Sequence, residues 1–191
     1  MGQIFGDFEV ITMPQQEYLA LSFSPSLVPL KQRWRNCGLS ANFLADYLST
    51  FYPAKETEPG SFKKQKCIKG ASNFIANELL ENALKNNDLE SQLPISLQVK
   101  FQTDRIIFYV TNGISSERII DFQSFINVLL NTDPNILYVQ LVEGQEEEGD
   151  DVHSGLGLLT IIRDYPTKLA WQFETNSQQI TEVTTMVQLK I

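Results

Sequence analysis

A chain of 191 residues, 42% hydrophobic and 20% charged, suits one globular domain with a sizeable core. Lys and Arg number 15 against 23 Asp and Glu, a formal charge of −8, which disfavours general binding to nucleic acid or to an anionic membrane. The two cysteines, Cys37 and Cys67, form no CxxC pair and build no disulfide framework, so a reduced, cytoplasmic setting is expected. Neither a secretory leader nor a membrane-length apolar run is expected.

In chain order, YLALSFS (18–24) reads as a short strand. Leu39, Phe43, Leu44, Tyr47, Leu48 and Phe51 recur at helical spacing and predict a helix from about Lys31 to Phe51. PAKETEPGSFKK (53–64) reads as a loop from its Pro, Gly and charge content. A second helix is expected from Lys66 to Asn87, stopping in NND. Strands follow at 94–102 and 105–111, the first with the alternation of a half-buried strand in LQVKF. A helix over 116–131 offers Ile119, Ile120, Phe125, Ile126 and Leu129 as candidate core. Residues 132–153 read as a long irregular or partly helical segment carrying EGQEEEGDD. GLGLLTIIRDY (155–165) opens a further helix, and strands at 168–174 and 183–190 close the chain.

Strands that arrive in neighbouring pairs do not make a βαβ order. The expected architecture is an α/β two-layer sandwich, with a mixed, mostly antiparallel sheet and helices on one face. One domain spans 1–191, with an N-terminal strand, helix and loop (1–65) ahead of a core (66–191).

Chemistry concentrates in NELLENALKNN (77–87). At about 100° per residue, Asn82 falls near +40° and Lys85 near −20° from Glu78, a polar stripe bordering the apolar face of the helix. A solvent face would be centred on the far side. Gly155 and Gly157 lie in SGLGL (154–158), where backbone can approach a phosphate and a helix N-terminus adds free N–H groups. YVTNGIS (109–115) reads as a strand ending in a turn at Asn112-Gly113.

Together and in this order, these residues resemble the GHKL ATPases, a superfamily that includes gyrase, MutL and histidine-kinase ATP-binding domains and the anti-sigma-factor serine kinases. The E-x-x-x-N-A-x-K box reads Glu78-Leu-Leu-Glu-Asn82-Ala-Leu-Lys85. The last glycine box reads His153-Ser154-Gly155-Leu156-Gly157-Leu158. The middle box, usually D-x-G-x-G, reads Thr111-Asn112-Gly113-Ile114-Ser115 and lacks the Asp. Among branches, GLGLLTIIRDY looks most like the SiaB-type regulators of bacterial partner-switching systems.

The resemblance implies a Bergerat, histidine-kinase-like ATPase fold with an ATP lid at 132–153. It implies ATP and Mg²⁺ as cofactors, with Asn82 holding the metal. Glu78 would be the catalytic base, and Lys85 a cation toward phosphate. Thr111 or Asn112, beside Gly113, would accept from the adenine amino group in place of the missing Asp, and Ser154, Gly155, Leu156, Gly157 and Leu158 would receive phosphate oxygens. The acidic residues Glu143, Glu146, Glu147, Glu148, Asp150 and Asp151 would sit in the lid. The expected function is phosphorylation of a Ser or Thr on a small partner, STAS-like or SiaC-like, by a protein serine/threonine kinase of this type. The resemblance also admits a homodimer. The alternative is an inactive module of the same fold that sequesters a regulatory partner, to which the missing Asp points.

Overall fold

The computed structural model describes residues 2–11, 17–24, 30–144 and 155–191. The elements are β1 (Gln3–Phe5), β2 (Tyr18–Phe23), α1 (Leu30–Phe51), α2 (Ser61–Asn86), β3 (Ile95–Phe101), β4 (Arg105–Ile114), α3 (Ser116–Asn131), α4 (Pro134–Gly144), α5 (Leu156–Asp164), β5 (Thr167–Thr175) and β6 (Thr181–Lys190). They form an α/β two-layer sandwich. The sheet runs β1-β5-β6-β4-β3-β2. Every pairing among the described strands is antiparallel, so the parallel contribution expected in a mixed sheet is not there.

Side chains alternate across a strand. On β4, Ile106, Phe108, Val110 and Ile114 join the main core with the helices, whereas Ile107 and Tyr109 face the other way. All five helices contribute to the main core, through residues such as Leu48, Leu79, Ile126, Leu137 and Leu159, so they share one side of the sheet. The opposite face keeps a smaller cluster of Ile107, Tyr109, Ala170 and Met186, with Phe8 packed on it. Phe8 meets Tyr109 edge to face at 6.2 Å, Arg105 pairs with Glu9 at 3.1 Å, and Lys168 with Asp7 at 3.5 Å. Asp7, Phe8 and Glu9 therefore lie across the outer face.

Several elements differ from expectation. β1 was not expected, and α4 occupies part of the segment read as largely irregular. α2 begins at Ser61, inside the expected loop, directly after Gly60 in the left-handed region (φ 88). Ile120, a candidate core residue, is 72% exposed, while Ile126 and Leu129 are buried. Among the described residues no helix is long and apolar enough to cross a membrane.

Candidate functional site

α2 is rich in Ala, Leu, Lys and Glu, which favour helix. Ile75, Ala76, Leu79, Leu80 and Ala83 bury its sheet-facing side. Glu78 and Asn82 are half-buried at the border of that side, and Lys85, one turn on, is exposed. The expected polar stripe is thus present at the helix edge.

Its members are held by neighbours. Asn86 Nδ2 donates to the Asn82 carbonyl at 2.9 Å and lies 3.4 Å from Asn82 Oδ1. Arg118 Nη1, from α3, donates to the Lys85 carbonyl and to Asn86 Oδ1, each at 3.3 Å. The last turn of α2 has orphan carbonyls by construction, and Arg118 satisfies one of them. Glu81 Oε1 accepts from Asn77 Nδ2 at 2.8 Å. Burial, then the nearby Glu81 carboxylate, pushes the Glu78 carboxyl above its ordinary value, and Lys85 pulls the other way.

The first turn of α5 comes to the same place. A Cβ on Gly157 would overlap the Glu78 carboxylate, with Glu78 Cδ 3.0 Å away. A Cβ on Gly155 would meet Phe125 Cε2 and Cζ at 2.8 Å. Two glycines thus let α5 approach α2 on one side and α3 on the other. Leu158 is buried and anchors the turn in the core. The first-turn N–H groups of α5, at Leu156, Gly157 and Leu158, have no intrahelical acceptors and carry the positive end of the helix dipole. Ser154 and His153 lie outside the described residues, as do Glu146, Glu147, Glu148, Asp150 and Asp151. Glu143 is exposed near the end of α4.

The middle segment is arranged differently from its sequence reading. Asn112 and Gly113 form no turn: β4 continues to Ile114, pairing Asn112 with Val183 and Gly113 with Glu182 on β6. Asn112 is 4% exposed and shares the helix side of the sheet with Val110, but its Nδ2 donates to the Gly113 carbonyl at 2.8 Å. Gly113 N donates to Asn87 Oδ1 at 3.2 Å, its carbonyl also accepts from Asp88 N at 3.0 Å, and Ser91 Oγ fills the space of its missing Cβ. The open backbone of Gly113 serves the turn after α2. Thr111 shares the outer face with Ile107 and Tyr109 by alternation, and its hydroxyl is 2.8 Å from that of Thr184. Glu78 therefore meets Gly157 at the α2 edge that also carries Asn82 and Lys85, and Thr111 lies on the opposite side of the sheet.

Thr185 was missed by the sequence reading. It is buried, pairs with Val110, and shares the helix side with Val183 and Val187. The signal was available, because Thr185 interrupts an otherwise apolar alternation in β6.

At this edge the chain assembles a half-buried carboxylate with raised proton affinity, an amide, an ammonium group and a helix N-terminus. That set suits a polyanion and a proton transfer beside it. No family model matches this sequence, and no curated protein does. Among solved structures the chain is similar to a chain of the SiaB–SiaC complex from Pseudomonas aeruginosa, with a TM-score of 0.56 and 16% identity over 91% of this chain and 89% of that one. At that identity the likeness is one of fold.

Proposed function

We propose that this chain is a regulator of the partner-switching kind, a GHKL-type protein of Bergerat fold. In this reading it binds Mg-ATP at the α2–α5 edge and phosphorylates a Ser or Thr of a small SiaC-like or STAS-like partner. The observation that carries the reading is the contact of Gly157 with Glu78. Two motifs far apart in sequence, each singled out for phosphate chemistry, meet at a helix N-terminus. The fold shared with a chain of the SiaB–SiaC complex supports a small protein partner.

The residues fit the phosphate end of such a nucleotide. The first-turn N–H groups of α5, which lack intrahelical acceptors, would donate to phosphate oxygens. Among the described residues no cluster of acidic, His or Cys side chains forms a cage for a metal, so Asn82 would offer Mg²⁺ a single oxygen and leave its other positions to phosphate and water. Bound nucleotide would supply the activated phosphoryl group, with its metal neutralising charge. Glu78 would orient the partner hydroxyl and accept its proton. Its raised proton affinity makes it a stronger base than an exposed glutamate, and a positioned base contributes about 10²–10⁴-fold. Lys85 would act as a point charge toward phosphate.

A second reading, the sequestering module, is favoured by one specific observation. The Asn112 amide and both backbone groups of Gly113 are engaged internally, where a base would be anchored. Phosphate transfer from labelled ATP to the partner separates the two. Transfer lost in Glu78→Ala supports the kinase, and wild type equal to Glu78→Ala removes it. Melting with Mg-ADP tests binding alone. Saturation at about 1,000 Kd gives ~4 kcal/mol and a rise on the order of 10 °C, and no rise favours the sequestering module.

A further inference from the structure

The outward side of α1 carries Leu39, Phe43 and Tyr47, which are 58%, 54% and 37% exposed. Steps of four fall on one side of a helix, so the three form an apolar ridge about 12 Å long. The Phe43 and Tyr47 rings stack at 6.3 Å, and Tyr47 is backed by Phe51 at 5.2 Å and Phe101 at 6.2 Å. The ridge is therefore held in shape before anything binds it.

α2 runs antiparallel beside α1. Asn73 Nδ2 donates to Asn42 Oδ1 at 2.6 Å, Gln65 Nε2 to the Ser49 carbonyl at 3.1 Å, and Lys69 pairs with Asp46. Lys63, Lys66 and Lys69 follow one another at steps of three along α2, all exposed. Asp46, the acid between them and the ridge, is already paired with Lys69. An apolar ridge beside a lysine ladder is unlike the rest of a chain with net charge −8. Clustered exposed apolar groups of this kind mark interaction sites.

We propose that the α1–α2 face docks an acidic amphipathic helix of a partner protein. A ridge of anchors at four-residue steps matches the spacing by which one helix face meets another. The lysine ladder lies where the carboxylates flanking the partner's apolar stripe would fall. Charge argues against a second copy of this chain, because a two-fold contact sets the same patch against itself and brings lysines toward lysines. The face needs no nucleotide and stands apart from the kinase reading.

The test uses the full chain without nucleotide and a labelled synthetic peptide of about five helical turns, Leu on one face and Glu on the other. Its counterpart carries Lys in place of Glu. Fluorescence anisotropy should show the Glu peptide binding at least about tenfold more tightly than the Lys peptide. Phe43→Ser should weaken it by about tenfold, and Lys63→Glu with Lys66→Glu, which leaves the Lys69–Asp46 pair in place, should reverse the preference. These positions are exposed, so the variants should melt like wild type. Equal binding of the two peptides, no binding below about millimolar concentration, or binding indifferent to Phe43→Ser overturns the proposal. So does a sedimenting dimer that Phe43→Ser abolishes, which assigns the face to a second copy.

Discussion

Gly157 of α5 leaves no room for a methyl group unless the Glu78 carboxylate of α2 swings aside. The obstructing atoms are the far end of a flexible side chain, so relief is cheap for the fold and costly for the position of the carboxylate. Gly157→Ala should change stability by about 1 kcal/mol or less, since alanine's helix propensity offsets the crowding. It should nonetheless depress phosphate transfer in the proposed reaction. Gly155→Ala differs, because the ring edge of Phe125 at 2.8 Å must move within packed surroundings. A loss of about 1–3 kcal/mol is expected. Denaturant midpoints compare the two, and equal losses would refute the distinction.

The Glu78 carboxyl titrates above its ordinary value, 4.5, because it is half-buried and faces Glu81. The folded state therefore holds the proton to higher pH than the unfolded state. Glu78 costs stability above its folded pKa, and that cost vanishes below the unfolded pKa. Glu78→Gln should accordingly stabilise the protein at neutral pH, with a gain that shrinks to nothing on acidification through the carboxylate range. Unfolding curves at both ends of the range check this. A gain that grows on acidification has the wrong sign.

Gly70 sits inside α2 with nothing within 4 Å of where its Cβ would stand. Alanine there restricts the unfolded chain and meets no obstacle. Gly70→Ala should add about 0.5–1 kcal/mol. A loss would mean that the outer side of α2 is covered by something else.

Tyr109 lies under Phe8 on the outer face, and burial, then Glu9, pushes its phenol from 10.0 up to about 12, against the pull of Arg105. Its stability contribution is unaffected at neutral pH and falls as pH rises past the range of free tyrosine, because the unfolded chain releases the proton first. Phe8→Ala uncovers the ring and should bring the phenolate absorbance transition back toward ordinary tyrosine. A transition unmoved by Phe8→Ala would show that the segment after β1 does not shield it.

Much of this layout was legible in the sequence. The helix over 116–131 was set by its apolar spacing, and α3 matches it, between the cap residues Ser115 and Thr132. The α2 edge was legible because helix geometry alone places Glu78, Asn82 and Lys85 together. Gly155 and Gly157 were read as openings for phosphate, and what the structure brings against them is Phe125 and Glu78. Asn112-Gly113 misled because its turn chemistry is local, while pairing with Val183 and Glu182 on β6 is not. Alternation along β4 sends Thr111 to the outer face with Ile107 and Tyr109. β1 is too short for any alternation to show, and α4 lacked signal because Ile136, Val139 and Val142 put apolar groups on its exposed side. The start of α2 was hidden by lysines that read equally well as a loop.

The pairing of β1 with β5 also bears on how the chain is made. Gln3 and Phe5 pair with Phe173 and Trp171, which lie far later in the sequence. β1 therefore has no partner until β5 has been made, and its edge of the sheet cannot close before then. Contacts of such long sequence separation are slow to form, and a segment left waiting is exposed to wrong pairings. Any bulky group placed beside β1 would weigh on this late pairing, and its effect would appear as lower yield of folded protein before it appeared as lower stability.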